Sequence, residues 1–559
     1  MKRNCLMLLC ILVLLLGVGP AAHGEEEDRS LVLVGLAYGN NALDGANLAN
    51  GEGSGFRFGY LDEERNFWQM AYTEEKAISV VKTQNVWYGL DPNYSSNLKS
   101  YSDSLTSDIG VGCWHVGLPV ETVPASFEEA LAQAESLGGF PAWISGTWEI
   151  RFGAYTSQGE AQAAADTMGG NTVGTSAYGV SVVKTGTSQI LFQFDGGEDL
   201  SLAVNPGFDD SVKAETHFRG NRYYGIFQFI RNGGGDLTVV NALDMDDYVS
   251  CLLSQEMSSS WPMEALKAQA VCARNYVENE TRHRSAGFDV CENVHCQAYP
   301  GVGGSNERTA QAAAETAGLR AWYQGEPVKT YYYSSNGGGS EDVKNVWGSS
   351  IPYLCGVIDP YEETISDKIS YWNYTQTMTG TELNAKVQPY LQKKGYNCAA
   401  IVDFRITELT PTGNVKSILF TDANGKEWPF TQKGASDFRS VLGLRSIRYT
   451  VAKAGETVGG TYYTDGGNVL TSMNGVYAIG GDGSTKKMTG NPYVITGSGI
   501  QFLPASSGGV STGETVYTFQ SSGWGHSVGM SQWGAYAMAQ QGKTFDEILK
   551  FYYPGIEIY

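Results

Sequence analysis

The chain has 559 residues, with 38 Lys+Arg against 59 Asp+Glu and a formal net charge of −21. That acid excess excludes general binding to nucleic acid or to an anionic membrane surface, because both require a basic face. With 70 Gly, 33 Tyr and 12 Trp the composition is not that of a disordered chain, and at about 150 residues per domain it predicts three or four turn-rich, strand-rich units.

Lys2 and Arg3 precede an apolar run from Cys5 to Val18, and Ala22-His23-Gly24 places small residues at a cleavage point. This is the layout of a secretory signal peptide over residues 1–24. The run is about 14 residues, short of the roughly 20 that span a bilayer, so no stable membrane span is expected after cleavage. Seven cysteines follow, Cys113, Cys251, Cys272, Cys291, Cys296, Cys355 and Cys398. An odd number leaves at least one outside any intramolecular disulfide.

Residues 25–110 read as short strands and turns, opened by Leu31-Val32-Leu33-Val34, with no catalytic constellation. Residues 112–184 have a repeating rhythm. Cys113 to Val116 is strand-like, and Ser126 caps a helix that ends at Gly138-Gly139. Phe140 to Ser145 and Thr147 to Ala154 are strands, Ser157 to Met168 is a second helix, and Tyr178 to Val183 is read as the closing strand. The order βαββαβ contains two matched halves, His115-Val116-Gly117 with Glu129-Ala130 and Arg151-Phe152-Gly153-Ala154-Tyr155 with Glu160-Ala161. These residues resemble a SPOR domain, a small ferredoxin-like module. The resemblance implies binding to denuded peptidoglycan glycan strands; a module of the same shape with no ligand is the competing reading.

From residue 186 onward strands return, with Ile226, Gln228 and Ile230 alternating and Asn232-Gly233 marking a hairpin turn. A helix begins near Asp244 and ends at Glu256-Met257. Trp261-Pro262 opens another, with Leu266, Ala270, Ala273 and Val277 on one stripe. Glu256 therefore stands at a helix–helix junction beside Trp261. A carboxyl desolvated there has a raised pKa and can donate a proton near neutral pH, although a solvated helix-end Glu has the same local sequence.

The blocks Tyr248-Val249, Leu252-Leu253, Glu256-Met257 and Trp261 to Tyr276 resemble the SpoIID/LytB family. So do Cys296-Gln297-Ala298-Tyr299, Tyr332-Tyr333-Ser334-Ser335, Val346-Trp347-Gly348, Gly525 to Ala535 and Tyr552-Tyr553-Pro554-Gly555. Cys251, Asn275, Asn336 and Ser527 depart from the family pattern, in which Gly stands at the first and last of these positions. The expected fold class is α+β and multi-domain. A SpoIID-like mixed α/β catalytic domain over 186–559 carries a Gly-rich insertion at 452–515 and follows the small SPOR-like unit.

The resemblance implies a lytic transglycosylase that cuts glycan strands stripped of their stem peptides, in sporulation or cell-wall remodelling. Glu256 would be its catalytic acid. Arg274, Ser334, Ser335, His526, Ser531 and Gln532 would position substrate. Secretion, association with the cell wall and an amidase partner that denudes the strands are implied with it. A non-catalytic role as an amidase enhancer is the alternative, and a spore-envelope scaffold a third. His283, Cys291, His295 and Cys296 offer two imidazoles and two thiols, a set that suits a closed structural Zn²⁺ site. A Cys291–Cys296 disulfide competes with that reading. No cofactor is needed for the chemistry itself.

Overall fold

The computed structural model describes residues 31–88, 109–119, 123–208, 211–453 and 515–559, together with short strand backbones between 462 and 502. The signal peptide expected at 1–24 and most of the 452–515 insertion lie outside the described residues. Among the described residues, no helix is long and apolar enough to cross a membrane.

Two large sheets hold the first half of the chain. One has seven strands, in the order Val290–Cys291, Leu31–Ala37, Thr238–Asp244, Ile226–Ile230, Leu202–Pro206, Phe56–Leu61 and Phe67–Thr73. Leu31–Ala37 is its hinge: it pairs antiparallel with Thr238–Asp244 and parallel with Val290–Cys291. Val32, Val34 and Leu36 bury one face of this strand, as period-2 alternation requires. The amino-terminal strand thus lies between the strand that feeds the Glu256 helix and the strand that carries Cys291.

The second sheet has ten strands. It begins Asn171–Val173, Trp114–Gly117, Thr147–Tyr155, Phe140–Ile144, and continues through Ile190–Asp195, Val180–Lys184, Ala77–Lys82 and Gly45–Glu52. Each neighbouring pair among the first four is antiparallel. With helices α1 (Phe127–Leu137) and α2 (Gln158–Met168) they make the ferredoxin-like order 4-1-3-2. Both helices use the same device. Ser126 and Ser157 accept from the backbone N–H of Glu129 and Glu160, and Gly138 (φ 75°) and Gly169 (φ 72°) end the helices in the left-handed region.

The closing strand of this unit is Asn171–Val173 rather than Tyr178–Val183. The apolar run Val180–Lys184 pairs instead with Ala77–Lys82 and Ile190–Asp195. A three-residue strand between Gly170 and Gly174 has too little pattern to read, whereas the buried run next to it is conspicuous. Ladders also cross the boundaries expected near 110 and 185, so these segments share sheets with their neighbours.

Helices α3 (Met245–Glu256), α4 (Met263–Glu278) and α5 (Glu307–Ala314) pack together against the first sheet. The single stripe read on α4 is too narrow. Ala265, Leu266 and every residue from Ala268 to Val277 are buried, because its alanines let neighbours approach from all sides. A separate core joins α6 (Gly380–Lys393) to Ile401–Leu409, Val415–Asp422 and Glu427–Thr431. In it Tyr449–Lys453 pairs with Val516–Ser521. The insertion therefore leaves and returns between two adjacent strands, and among the described residues three antiparallel strand pairs lie within it.

Candidate active site

The strand Thr238–Asp244 runs directly into α3. Asp244 caps it, accepting from Asp246 N (2.8 Å) and Asp247 N (3.4 Å), and the acids of Asp246 and Asp247 sit in the first turn, where the helix dipole favours them. Glu256 is the last residue of this helix. It opens on a cleft of about 780 Å³, lined also by Ser334, Trp347, Trp524, His526 and Cys296. That volume is in the range of ligand pockets.

The Glu256 carboxyl is partly open to the cleft and otherwise enclosed. Burial pushes it above the usual carboxylate range, against opposing hydrogen bonds from the Ala298 backbone, Tyr332 and Gln532. Gln532 Nε2 donates to Oε2 at 3.4 Å. Trp261 packs its ring on Trp533 (4.6 Å) and Tyr536 (5.1 Å). It ties the α3–α4 junction to helix α7 (Gln532–Gln540).

His526 lies across the cleft between Tyr333 and Trp347, with ring centroids at 5.2 and 5.1 Å. Its Nδ1 accepts from Val528 N (3.1 Å). Burial lowers its pKa to about 4, so it is neutral at neutral pH. Ser527, where the family has Gly, stands at φ 63°, which explains the usual glycine there.

Three expected substrate contacts are corrected. Arg274 is fully buried. It pairs with Asp246 and donates to Thr316 Oγ1 (2.9 Å) and Ala313 O (2.7 Å), fixing α4 to α3 and α5. Ser335 Oγ donates to Glu362 Oε2 (2.8 Å), and Ser531 Oγ donates to Glu362 Oε1. Both serines are buried. Their hydroxyls hold the site's loops together. Ser531 also caps α7, accepting from Gly534 N (3.2 Å).

Sequence reasoning missed Glu362. It accepts as well from Asn336 N (2.9 Å) and Gly337 N (3.0 Å). One buried carboxyl therefore joins the 334–339 loop to the start of α7, and so to Gln532. Its sequence context, Tyr361-Glu362-Glu363, carries no motif. Trp524 and Tyr332 were also missed, though Tyr332 opens one of the family-like blocks and Trp524 directly precedes another.

His283, Cys291, His295 and Cys296 converge, with one donor atom from each lying within 4.8 Å of the others. His283 Nε2 is buried and has no hydrogen-bond partner among the described residues. Both thiols are free. The hydrogen bond between them holds Cys291 below and Cys296 above the usual thiol range, so the pair readily supplies a thiolate. An orphaned imidazole nitrogen facing two thiols and a second imidazole fits a tetrahedral Zn²⁺. His295 and Cys296 also line the cleft of Glu256.

The family described as Stage II sporulation protein, SpoIID, matches residues 233–323. That span begins just before the strand that feeds α3 and includes Glu256 and all four clustered ligands. An uncharacterized protein of Brachyspira hyodysenteriae is 31% identical over 370 residues, covering 64% of this chain and 80% of its own. The chain carries a SpoIID-family domain. The stage II sporulation protein D of Bacillus subtilis is 27% identical over 335 residues, 57% of this chain and 75% of its own. The amidase enhancer of the same organism is 29% identical over 308 residues, 54% of this chain but only 39% of its own length.

Proposed function

We propose that the protein is a lytic transglycosylase acting on peptidoglycan glycan strands that have lost their stem peptides. The observation that supports this most is the Glu256 carboxyl, raised by burial and facing a cleft wide enough for a saccharide. A protonated Glu256 donates to the glycosidic oxygen as the C1–O bond breaks. The C6 hydroxyl of the same MurNAc then attacks C1, and its proton returns to Glu256. The products are a 1,6-anhydro end and a free hydroxyl on the leaving sugar, with no water consumed. Because the nucleophile is tethered, its high effective concentration replaces the second carboxylate of ordinary glycoside hydrolysis.

Gln532 positions the acid, and neutral His526, whose Nδ1 accepts from Val528 N, keeps its proton on Nε2 and adds no charge. The set His283, Cys291, His295 and Cys296 would hold a Zn²⁺ that braces the cleft wall. The ferredoxin-like unit would add a second grip on denuded glycan. Secretion to the cell wall in sporulation or remodelling, beside an amidase that denudes the strands, is the setting this reading implies.

The amidase-enhancer relative favours a second reading, in which the cleft binds glycan and a partner cuts. Incubating the purified chain with denuded strands separates them. Soluble fragments released without any amidase support the enzyme; none without amidase, and faster stem-peptide cleavage with it, supports the enhancer.

A further inference from the structure

The cleft has a feature that the acid does not use. Trp524 lines it and keeps 45% of its surface exposed. Its position is fixed from below. Trp524 N donates to Ser335 O (2.8 Å) and Ser335 N to Trp524 O (3.1 Å), while Ser335 is gripped by Glu362. Gly523 N donates to Tyr371 O (2.9 Å) and Gly525 N to Arg445 O (3.0 Å).

The Arg445 guanidinium lies 4.0 Å from the centre of the Tyr371 ring and 4.5 Å from that of Trp524. The two rings meet edge to face at 4.8 Å and 89°. Among the described residues, no carboxylate or carbonyl accepts from this guanidinium. The cations that line the cleft itself differ: Arg282 and Lys329 both lie on Glu280, at 2.7 and 3.8 Å. Arg445 therefore keeps its charge and its donors available, and aromatic stacking orients its plane.

From this juxtaposition we infer that Trp524 and Arg445 form a subsite for an acidic saccharide. The indole stacks on a sugar ring, and the guanidinium pairs with a carboxylate on that sugar or its neighbour. The inference rests on the glycan reading of the cleft; in denuded glycan the carboxylate is the lactyl group of MurNAc. It explains how a chain of net charge −21 accepts a polyanion: one guanidinium against the cleft's Trp524 acts locally, while the bulk field is screened within about 10 Å at ordinary salt.

The test is calorimetric binding to the full chain carrying Glu256→Gln, so that nothing is cut. The two probes are a denuded GlcNAc–MurNAc tetrasaccharide and chitotetraose, which has no carboxylate. Arg445→Gln should weaken the muroglycan about tenfold, or roughly 1.4 kcal/mol, and leave chitotetraose unchanged. Arg445→Lys should fall between. Trp524→Ala should weaken both probes about tenfold, and Trp524→Phe less. Equal weakening of both probes by Arg445→Gln overturns the inference, as does no change from either Arg445→Gln or Trp524→Ala. If the starting protein binds neither probe, the glycan reading itself has failed, and the inference falls with it.

Discussion

Replacing Glu362 by Gln alters a single atom in a buried junction. Each carboxyl oxygen accepts two hydrogen bonds: Oε1 from Asn336 N (2.9 Å) and Ser531 Oγ, Oε2 from Ser335 Oγ (2.8 Å) and Gly337 N (3.0 Å). The serine hydroxyls can rotate to accept; the backbone N–H groups cannot. Whichever way the amide is placed, its NH₂ faces one backbone N–H. Leaving that donor unmet in a buried site costs about 2 kcal/mol. Burial and the nearby Asp359 charge raise the Glu362 pKa, so removing charge alone is not the penalty. Native-state hydrogen exchange is the assay, because it reads the loop without requiring whole-chain two-state unfolding. The amides of Asn336 and Gly337 should exchange roughly 30-fold faster in Glu362→Gln, the ratio that 2 kcal/mol gives. Gln532 should lose order with them. Unchanged exchange at both amides would refute the assignment of Glu362 as the clasp.

Arg274→Ala should lower stability by about 3 kcal/mol, through a lost buried pair and a cavity, while the folded fraction keeps its KM; a raised KM with an unchanged melting temperature would restore Arg274 to substrate binding. Purified protein should carry about one Zn²⁺ per chain, and Cys291→Ser should abolish it; a metal-free chain with a Cys291–Cys296 disulfide, seen by mass spectrometry, would contradict this. The rate should fall as pH rises through the raised pKa of Glu256, and His526, lowered to about 4, should add no second step of its own near 6.5. His115 and His526, both lowered to about 4 by burial, bind protons in the unfolded chain first. Their own contribution to stability is therefore full above pH about 6.5 and is lost as pH falls toward 4; a titration midpoint near 6.5 at either ring, read by nuclear magnetic resonance, counts against its burial.

Local signals were the most legible part of the chain. Serine and aspartate caps, the glycine stops and the Asn232-Gly233 turn each rest on chemistry confined to a few residues, and the helices formed there. The acid's surroundings were half legible. Glu256 falls at the end of its helix as the pattern indicates, but the groups that touch it come from Ala298, Tyr332 and Gln532, far apart in sequence. Polar residues in one motif look alike before folding. Ser334 lines the cleft, whereas Ser335 and Ser531 turn inward to Glu362. Arg274 was expected to position substrate only through the family resemblance, and its partner Asp246 lies 28 residues earlier on the neighbouring helix. Sheet membership was least legible. Leu31–Ala37 pairs with segments some 200 residues away in sequence, and no local period reports a partner at that distance.

The central claim is that Glu256 is the acid of an intramolecular glycosidic cleavage. Its most direct test is mass spectrometry of the products from denuded glycan, wild type beside Glu256→Gln, with no other enzyme present. The account predicts fragments lighter by one water than the hydrolysis products for the wild type, and none for the variant, which should still bind the strand. Reducing ends of full mass from the wild type, or anhydro ends from Glu256→Gln at the wild-type rate, would contradict it.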